Sequence, residues 1–267
     1  MEGLSRRTWL GVAAGLAVWG NRTNRGWAET RLASRIEEAP EKHPLTPALR
    51  HAADALEALD GIEDYSCTLT RNELIGHKML AGKLDLKFRE KPRSVYIKFV
   101  NPHAGRQVLF NDGKNSNNLQ VKDVGLAALV GTINLAPNGK MAMEESRHPV
   151  TVIGLRALIE TVIEQWLAET KIDGATVNCY PDAKVGDVPA KVIEISYARE
   201  TAQAKYALTR LFIDSKTGFA VKVQNYDFPK KKADKPMLVE DYHYTDIRTK
   251  LGLKDIDFDT KNSKYGF

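Results

Sequence analysis

The hydrophobic positions follow two periods in turn. Leu45, Leu49, Ala52, Ala53, Leu56 and Leu59 recur at helical spacing. Thr46-Pro47 offers an N-cap followed by a proline at the first helical position, and Gly61 offers a stop. From Tyr65 the period drops to two. Residues 65–74, 94–100, 106–110 and 117–121 read as strands, as does the run Leu84, Leu86, Phe88 with Asp85 and Lys87 between. Asn111-Asp112-Gly113 is a turn signal. The gaps are too short for helical crossovers, so these strands form an antiparallel meander.

The middle changes character. Residues 124–130 are small and apolar, helical or irregular, and 135–139 (Leu-Ala-Pro-Asn-Gly) break the chain. Residues 151–171 give the clearest helix, with Val152, Leu155, Leu158, Ile159, Val162, Ile163, Trp166 and Leu167 on a broad apolar face. Glu160, Glu164 and Glu169 lie off that face. A second meander follows over 176–180, 191–197, 206–213, 219–226 and 238–247, with a glycine-dependent hairpin turn at 214–218. Lys230, Lys231 and Lys232 sit in the loop before the last strand.

The order helix, strands, helix, strands defines an α+β class with a large antiparallel sheet. Two helices cannot cover so many strands laid flat. The sheet is therefore expected to curl into a half-barrel with the helices on its concave side, around a hydrophobic cavity. Ordinary core packing is the alternative for the apolar face of the second helix. As a cavity wall it would present Leu155, Ile159, Ile163, Trp166 and Leu167, facing Phe99 from the sheet.

Residues 1–28 stand apart. Arg6 and Arg7 precede an uncharged apolar run over 8–20, too short for the ~20 residues that span a bilayer. Gly26-Trp27-Ala28 follows as a small-x-small cleavage pattern. Ser5-Arg6-Arg7-Thr8-Trp9-Leu10 resembles a twin-arginine export motif. The expected organisation is a signal peptide over 1–28, a flexible leader over 29–43 and one domain over 44–267, exported to the periplasm and soluble after cleavage.

Removing the signal changes the charge picture. The chain has 39 basic and 34 acidic residues, of which four and one lie in 1–28. The remaining balance, 35 against 33, has no concentrated basic face and argues against nucleic acid as a partner. The lysine run is either a solvated loop or a transient contact with anionic lipid at a membrane surface. Cys67 and Cys179 either pair, which would close a long loop worth ~4–5 kcal/mol, or are two separate buried thiols.

Chemistry-bearing motifs are sparse. There is no G-x-S-x-G, P-loop, G-x-G-x-x-G or CxxC, and no two histidines at helical spacing, so no catalytic residue, cofactor or metal is assigned. Asp255, Asp257 and Asp259 alternate like a calcium loop but lack its glycine and terminal glutamate. Ile256 and Phe258 instead suggest a terminal segment tucking apolar residues inward. Arg106, after the turn at 101–105, begins a strand or meets an anionic head group. Arg147 and His148 either pin the second helix to the sheet or hold such a head group at its positive end.

The stretches "NELIGHKMLAGKLDLKFREKPRSVYIKFVNPHAGRQVLF", "SRHPVTVIGLRALIE" and "DIDFDTKNSKYGF" resemble an exported bacterial family of unknown function. That family looks related to the outer-membrane lipoprotein carriers, the LolA/LolB-like superfamily. "LFIDSKTGFAVKVQNYDF" is similar to a recurring hairpin there. The resemblance implies an antiparallel half-barrel closed by helices over a cavity that holds acyl chains. It also implies lipid or an acylated protein as partner, or an envelope protein partner for a sensor branch. The expected function is a non-enzymatic carrier or sensor, with a filled interaction module as the alternative and an unrecognised hydrolase as the third reading.

Overall fold

The computed structural model describes residues 32–231 and 234–267. A single sheet of eleven antiparallel strands runs through it, in the order β6-β5-β4-β3-β2-β1-β11-β10-β9-β8-β7. The first meander is β1 (Asp64–Ile75), β2 (Lys78–Arg89), β3 (Ser94–Asn101), β4 (Gln107–Asn111), β5 (Leu119–Lys122) and β6 (Thr132–Leu135). The second is β7 (Ala175–Val185), β8 (Val188–Tyr197), β9 (Leu208–Asp214), β10 (Ala220–Asp227) and β11 (Met237–Thr249). The first strand of one meander pairs with the last strand of the other, from Tyr65 opposite Thr249 to Glu73 opposite Glu240. That seam merges two meanders into one sheet and leaves β6 and β7 as its edges.

The helices that complete the framework include α1 (Leu45–Glu57), the single turn α2 (Lys140–Met143) and α3 (Leu155–Glu169). α1 and α3 pack on each other and share one continuous core with the inward side chains of the sheet. Leu45, Leu49 and Ala52 of α1 are fully buried there, beside Leu69, Leu84 and Phe88. The strands alternate as their sequence demands: in β2, Leu84, Leu86 and Phe88 are buried while Lys83 and Asp85 are exposed. The fold is thus the α+β half-barrel expected, with the helices on the concave face. Curling is required by the contacts. Eight strands spaced ~4.8 Å apart would span over 30 Å if flat, yet β1–β6, β10 and β11 all reach one cavity beside α3.

The start of α3 depends on two tyrosines. The Leu155 and Gly154 amides donate to the hydroxyl oxygens of Tyr65 (2.8 Å) and Tyr244 (3.1 Å), which are buried on β1 and β11. Gly154 has φ of +122°, and a Cβ there would lie 2.8 Å from the Tyr65 oxygen and 3.0 Å from Phe88. Only glycine lets the chain enter the helix this close to the sheet. The helix was expected from residue 151. Val150–Val152 form instead a separate 3-10 turn, and the helix begins after the glycine.

Several local expectations are corrected. The leader over 29–43 is not uniformly flexible: 32–37 are helical, Leu32 and Ile36 are buried one helical turn apart, and Arg35 forks onto Glu164 at 2.6 and 2.8 Å. Residues 1–31, with the expected signal peptide, lie outside the described residues. α1 starts at Leu45, and Thr46 donates its hydroxyl to Pro40 O rather than capping the helix. β6, after the 3-10 segment Gly125–Val130, was not expected at all.

The C-terminal segment covers the convex face of β2–β4. Tyr265 stacks on Tyr96 with centroids 4.0 Å apart, and Phe258 joins Tyr96 and Leu109 in a small second core. Asp255 pairs with Arg89 and Lys114, and Asp257 with Lys87. The alternating aspartates therefore serve ion pairs. Of the two apolar residues between them Phe258 is buried, whereas Ile256 is 49% exposed.

Candidate functional site

A cavity of about 220 Å³ lies between the concave face, α3 and the strap 136–153 that joins β6 to α3. One water needs roughly 10–15 Å³ on this measure, so the space is far larger than a packing defect. Its wall is apolar on the β2–β6 side, with Leu84, Ile97, Phe99, Val108 and Val121, and on α3 with Leu158 and Val162. Met141 also lines it and is 64% exposed, so the cavity reaches the surface beside α2.

α3 presents two stripes. Leu155, Ile159, Ile163 and Trp166 are fully buried and Leu167 nearly so, in the core shared with α1. The neighbouring stripe, Ala157, Leu158, Thr161, Val162 and Gln165, lines the cavity. The five α3 residues expected to wall the cavity thus belong to the core instead. Helical periodicity showed a broad apolar face, but only the position of α1 decides which part of it is covered. Phe99 does line the cavity.

The other end of the cavity carries a polar collar. Glu240 on β11 is 3% exposed. Its carboxylate accepts from Arg147 Nε (2.8 Å), Asn225 Nδ2 (2.7 Å) and the Tyr206 hydroxyl (3.0 Å), and lies 3.0 Å from His148 Nε2. Glu73 on β1, 1% exposed, is 2.9 Å from Arg71 Nη1 and accepts from the Tyr242 hydroxyl and the Arg147 amide. Arg71 also donates to Ser146 Oγ and Glu145 O, and Arg147 to Leu74 O. Arg106 forks onto Asp123 (2.8 and 3.0 Å) and reaches Glu145 at 2.8 Å, and His103 faces the same Glu145 at 3.2 Å. These bonds hold the strap over the cavity.

Arg106, Arg147 and His148 are therefore occupied by carboxylates of this chain rather than open to an anionic head group. Arg147 and His148 pin the strap to the sheet, the alternative reading of that motif. Burial disfavours the Glu240 anion, but His148, Asn225 and Arg147 outweigh it and hold the carboxyl well below its usual range. The Arg106 hydrogen bond likewise holds Asp123 below its ordinary value. Burial, reinforced by the Glu240 charge, pushes the Tyr206 hydroxyl far up, so it remains a donor.

Glu169 behaves oppositely. It was expected off the apolar face, yet it is 1% exposed, because Gln165 and Tyr197 reach its carboxyl at 3.1 and 3.2 Å. Burial outweighs those bonds and raises it to about 7. The two cysteines are separate: Cys67 is buried on β1, Cys179 is exposed on β7, five strands away across the sheet. They do not form the disulfide considered above, and burial raises the Cys67 thiol to about 12. Among the described residues no group of histidine, cysteine and acidic side chains is arranged to hold a metal.

Sequence reasoning missed Arg71, Glu73, Glu240 and Tyr242. A signal was present. Leu69, Arg71 and Glu73 share one phase of β1, and Glu240, Tyr242 and Tyr244 share one phase of β11. Charges in the inward phase of a strand face the interior, not solvent.

The architecture is a curled single sheet closed by helices over an apolar cavity with a polar collar. The family described as a protein of unknown function, DUF1571, matches residues 62–267, and the chain belongs to that family. No curated protein matches the chain. Among solved structures it is similar to the Mycobacterium tuberculosis lipoprotein LppX, at 12% identity and a TM-score of 0.46, covering 80% of this chain and 99% of that one. It is similar to a DUF1329 family protein from Desulfovibrio piger at 13% and 0.41, covering 82% and 98%. A LolA superfamily protein from Nitrosomonas europaea follows at 12% and 0.33, covering 79% and 96%.

Glu169 gives a testable pH dependence. An unfolded glutamate titrates near ~4.3, and the folded one at about 7. Between those values the folded state keeps a proton that the unfolded chain has released. Stability therefore falls as pH rises through this window, by roughly 3–4 kcal/mol in all. Glu169→Gln removes the titration, so urea denaturation midpoints are expected to flatten between about pH 5 and 7 and to exceed wild type at about pH 8. Parallel curves for the two proteins would show that Glu169 is ionised in the fold.

Proposed function

We propose that this protein is an exported, non-enzymatic envelope protein that holds a lipid or acyl chain in its cavity, as a carrier or sensor. The observation that carries the reading is the unfilled apolar space beside Leu158 and Val162, under a strap held by ion pairs rather than by strand pairing. A core filled by its own side chains, as an interaction module requires, would leave no such space. Lipid recovered from the purified protein by organic extraction, at near one equivalent, is the expected result. Leu158→Glu places a charge in the cavity wall and should abolish lipid retention while the protein stays folded by circular dichroism. Wild-type protein that is empty and takes up no apolar ligand would refute the reading.

Exchange with a membrane is proposed at the end of the sheet where β1–β2, β3–β4, β5–β6 and β10–β11 turn. The antiparallel order places all four connections together. The β5–β6 connection exposes Leu126 (86%), Leu129 (84%) and Val130 (75%). Burying such a side chain is worth roughly 1.5–3 kcal/mol. Lys78, Lys230, Lys231 and Lys235 are exposed at the same end, each worth ~1 kcal/mol near an anionic surface. Lys232, the third of the lysine run, lies outside the described residues. Replacing Leu126 and Leu129 by Asp should lower co-sedimentation with anionic phospholipid vesicles at least about tenfold with stability unchanged. Equal sedimentation would remove this surface from the proposal.

Export is proposed to rest on residues 1–28, whose twin arginines and short apolar run suit the twin-arginine route. No helix among the described residues is long and apolar enough to cross a membrane. A reporter fused to residues 1–28 should appear in the periplasm only when the twin-arginine machinery is intact, and its export without that machinery would overturn the route.

A further inference from the structure

The charges on the cavity wall are committed to one another. Arg71 is matched by Glu73 at 2.9 Å, Arg106 by Asp123 and Glu145 at 2.8 Å, and Glu240 by Arg147 at 2.8 Å with His148 at 3.0 Å. Lys205 is the remaining lining cation; it is exposed at the rim, lies over the ring of Tyr206 and acts on Glu169. The lining carboxylates Glu73, Glu145 and Glu240 equal the lining cations Arg71, Arg106 and Lys205 in number. A carboxylate or phosphate brought inside would lose its hydration and find each interior cation already paired. It would also meet three fixed anions. An ester, hydroxyl or bare hydrocarbon meets no such penalty.

We propose that the cavity selects ligands whose buried part is uncharged, such as acyl esters, long-chain alcohols or hydrocarbons, and rejects free fatty acids and other anionic amphiphiles. This rests on the lipid-binding reading above and names its ligand class. The polar collar then acts as a charge filter. Its internal salt bridges satisfy the collar's own groups and leave no cation inside the cavity to receive an anionic head, Lys205 standing at the rim.

A long-chain fatty acid and its methyl ester of equal chain length make a minimal pair. Each is offered from phosphatidylcholine vesicles to the full-length mature protein at neutral pH, and bound ligand is counted at equilibrium. The ester is expected to bind at least about tenfold more tightly than the acid. Asp123→Asn and Glu145→Gln together release Arg106, and should raise affinity for the acid relative to that for the ester. Glu145 is 44% exposed, so this variant does not open the core, and circular dichroism is the check on its fold. Lys205→Ala should keep the preference for the ester over the acid. Tighter binding of the acid, or acid binding lost in Lys205→Ala, would overturn the charge filter while keeping the lipid-binding reading. Binding of neither ligand would overturn both.

Discussion

Eleven strands hydrogen-bonded into one sheet present more apolar surface than two helices can cover. The seam between β1 and β11 imposes this condition, because it joins two meanders edge to edge. A sheet of this width must twist and curl, and α1 and α3 then fill only part of the trough. Beside α1 the contact is dense, and Leu155, Ile159, Ile163 and Trp166 lose all exposure. Beside β2–β6 only the neighbouring stripe of α3 faces the strands, and space remains. The cavity is thus the residue of a mismatch between sheet width and helix number.

What closes that space is electrostatic. The strap between β6 and α3 packs Ala142, Val150 and Ile153 against the core, and its polar hold comes from Arg147, His148 and Ser146 meeting Glu240, Glu73 and Arg71. Buried ion pairs of this kind contribute little net stability, because desolvation offsets attraction. They do fix geometry: breaking one partner leaves a buried charge. Glu169, uncharged below about pH 7, belongs to the same line of polar contacts through Gln165 and Thr209.

The fold class was legible because period-two alternation and short gaps leave few alternatives. β2 and the 214–218 hairpin turn sit where the pattern puts them: Gly218 takes a φ of +75° and Asp214 accepts from the amides of Lys216 and Thr217. The short β6 was not legible, since four residues carry too little periodicity. α3 starts four residues later than expected because tertiary anchors, Tyr65 and Tyr244, replaced a local cap.

The candidate site was less legible than the fold. Phe99, Arg106 and His148 were named from sequence and do line the cavity. Arg71, Glu73 and Glu240 were passed over because a charge in a strand is normally read as outward-facing. By itself the sequence determined the element types, the antiparallel connectivity and the apolar faces, since these follow from local spacing. Only the tertiary structure decided which half of α3 faces the cavity, that Arg147 and Glu240 meet across 93 residues, and that Cys67 and Cys179 stay apart. Those outcomes depend on how the sheet curls and where α1 lies, and no local pattern encodes the distance between two residues brought together by closure.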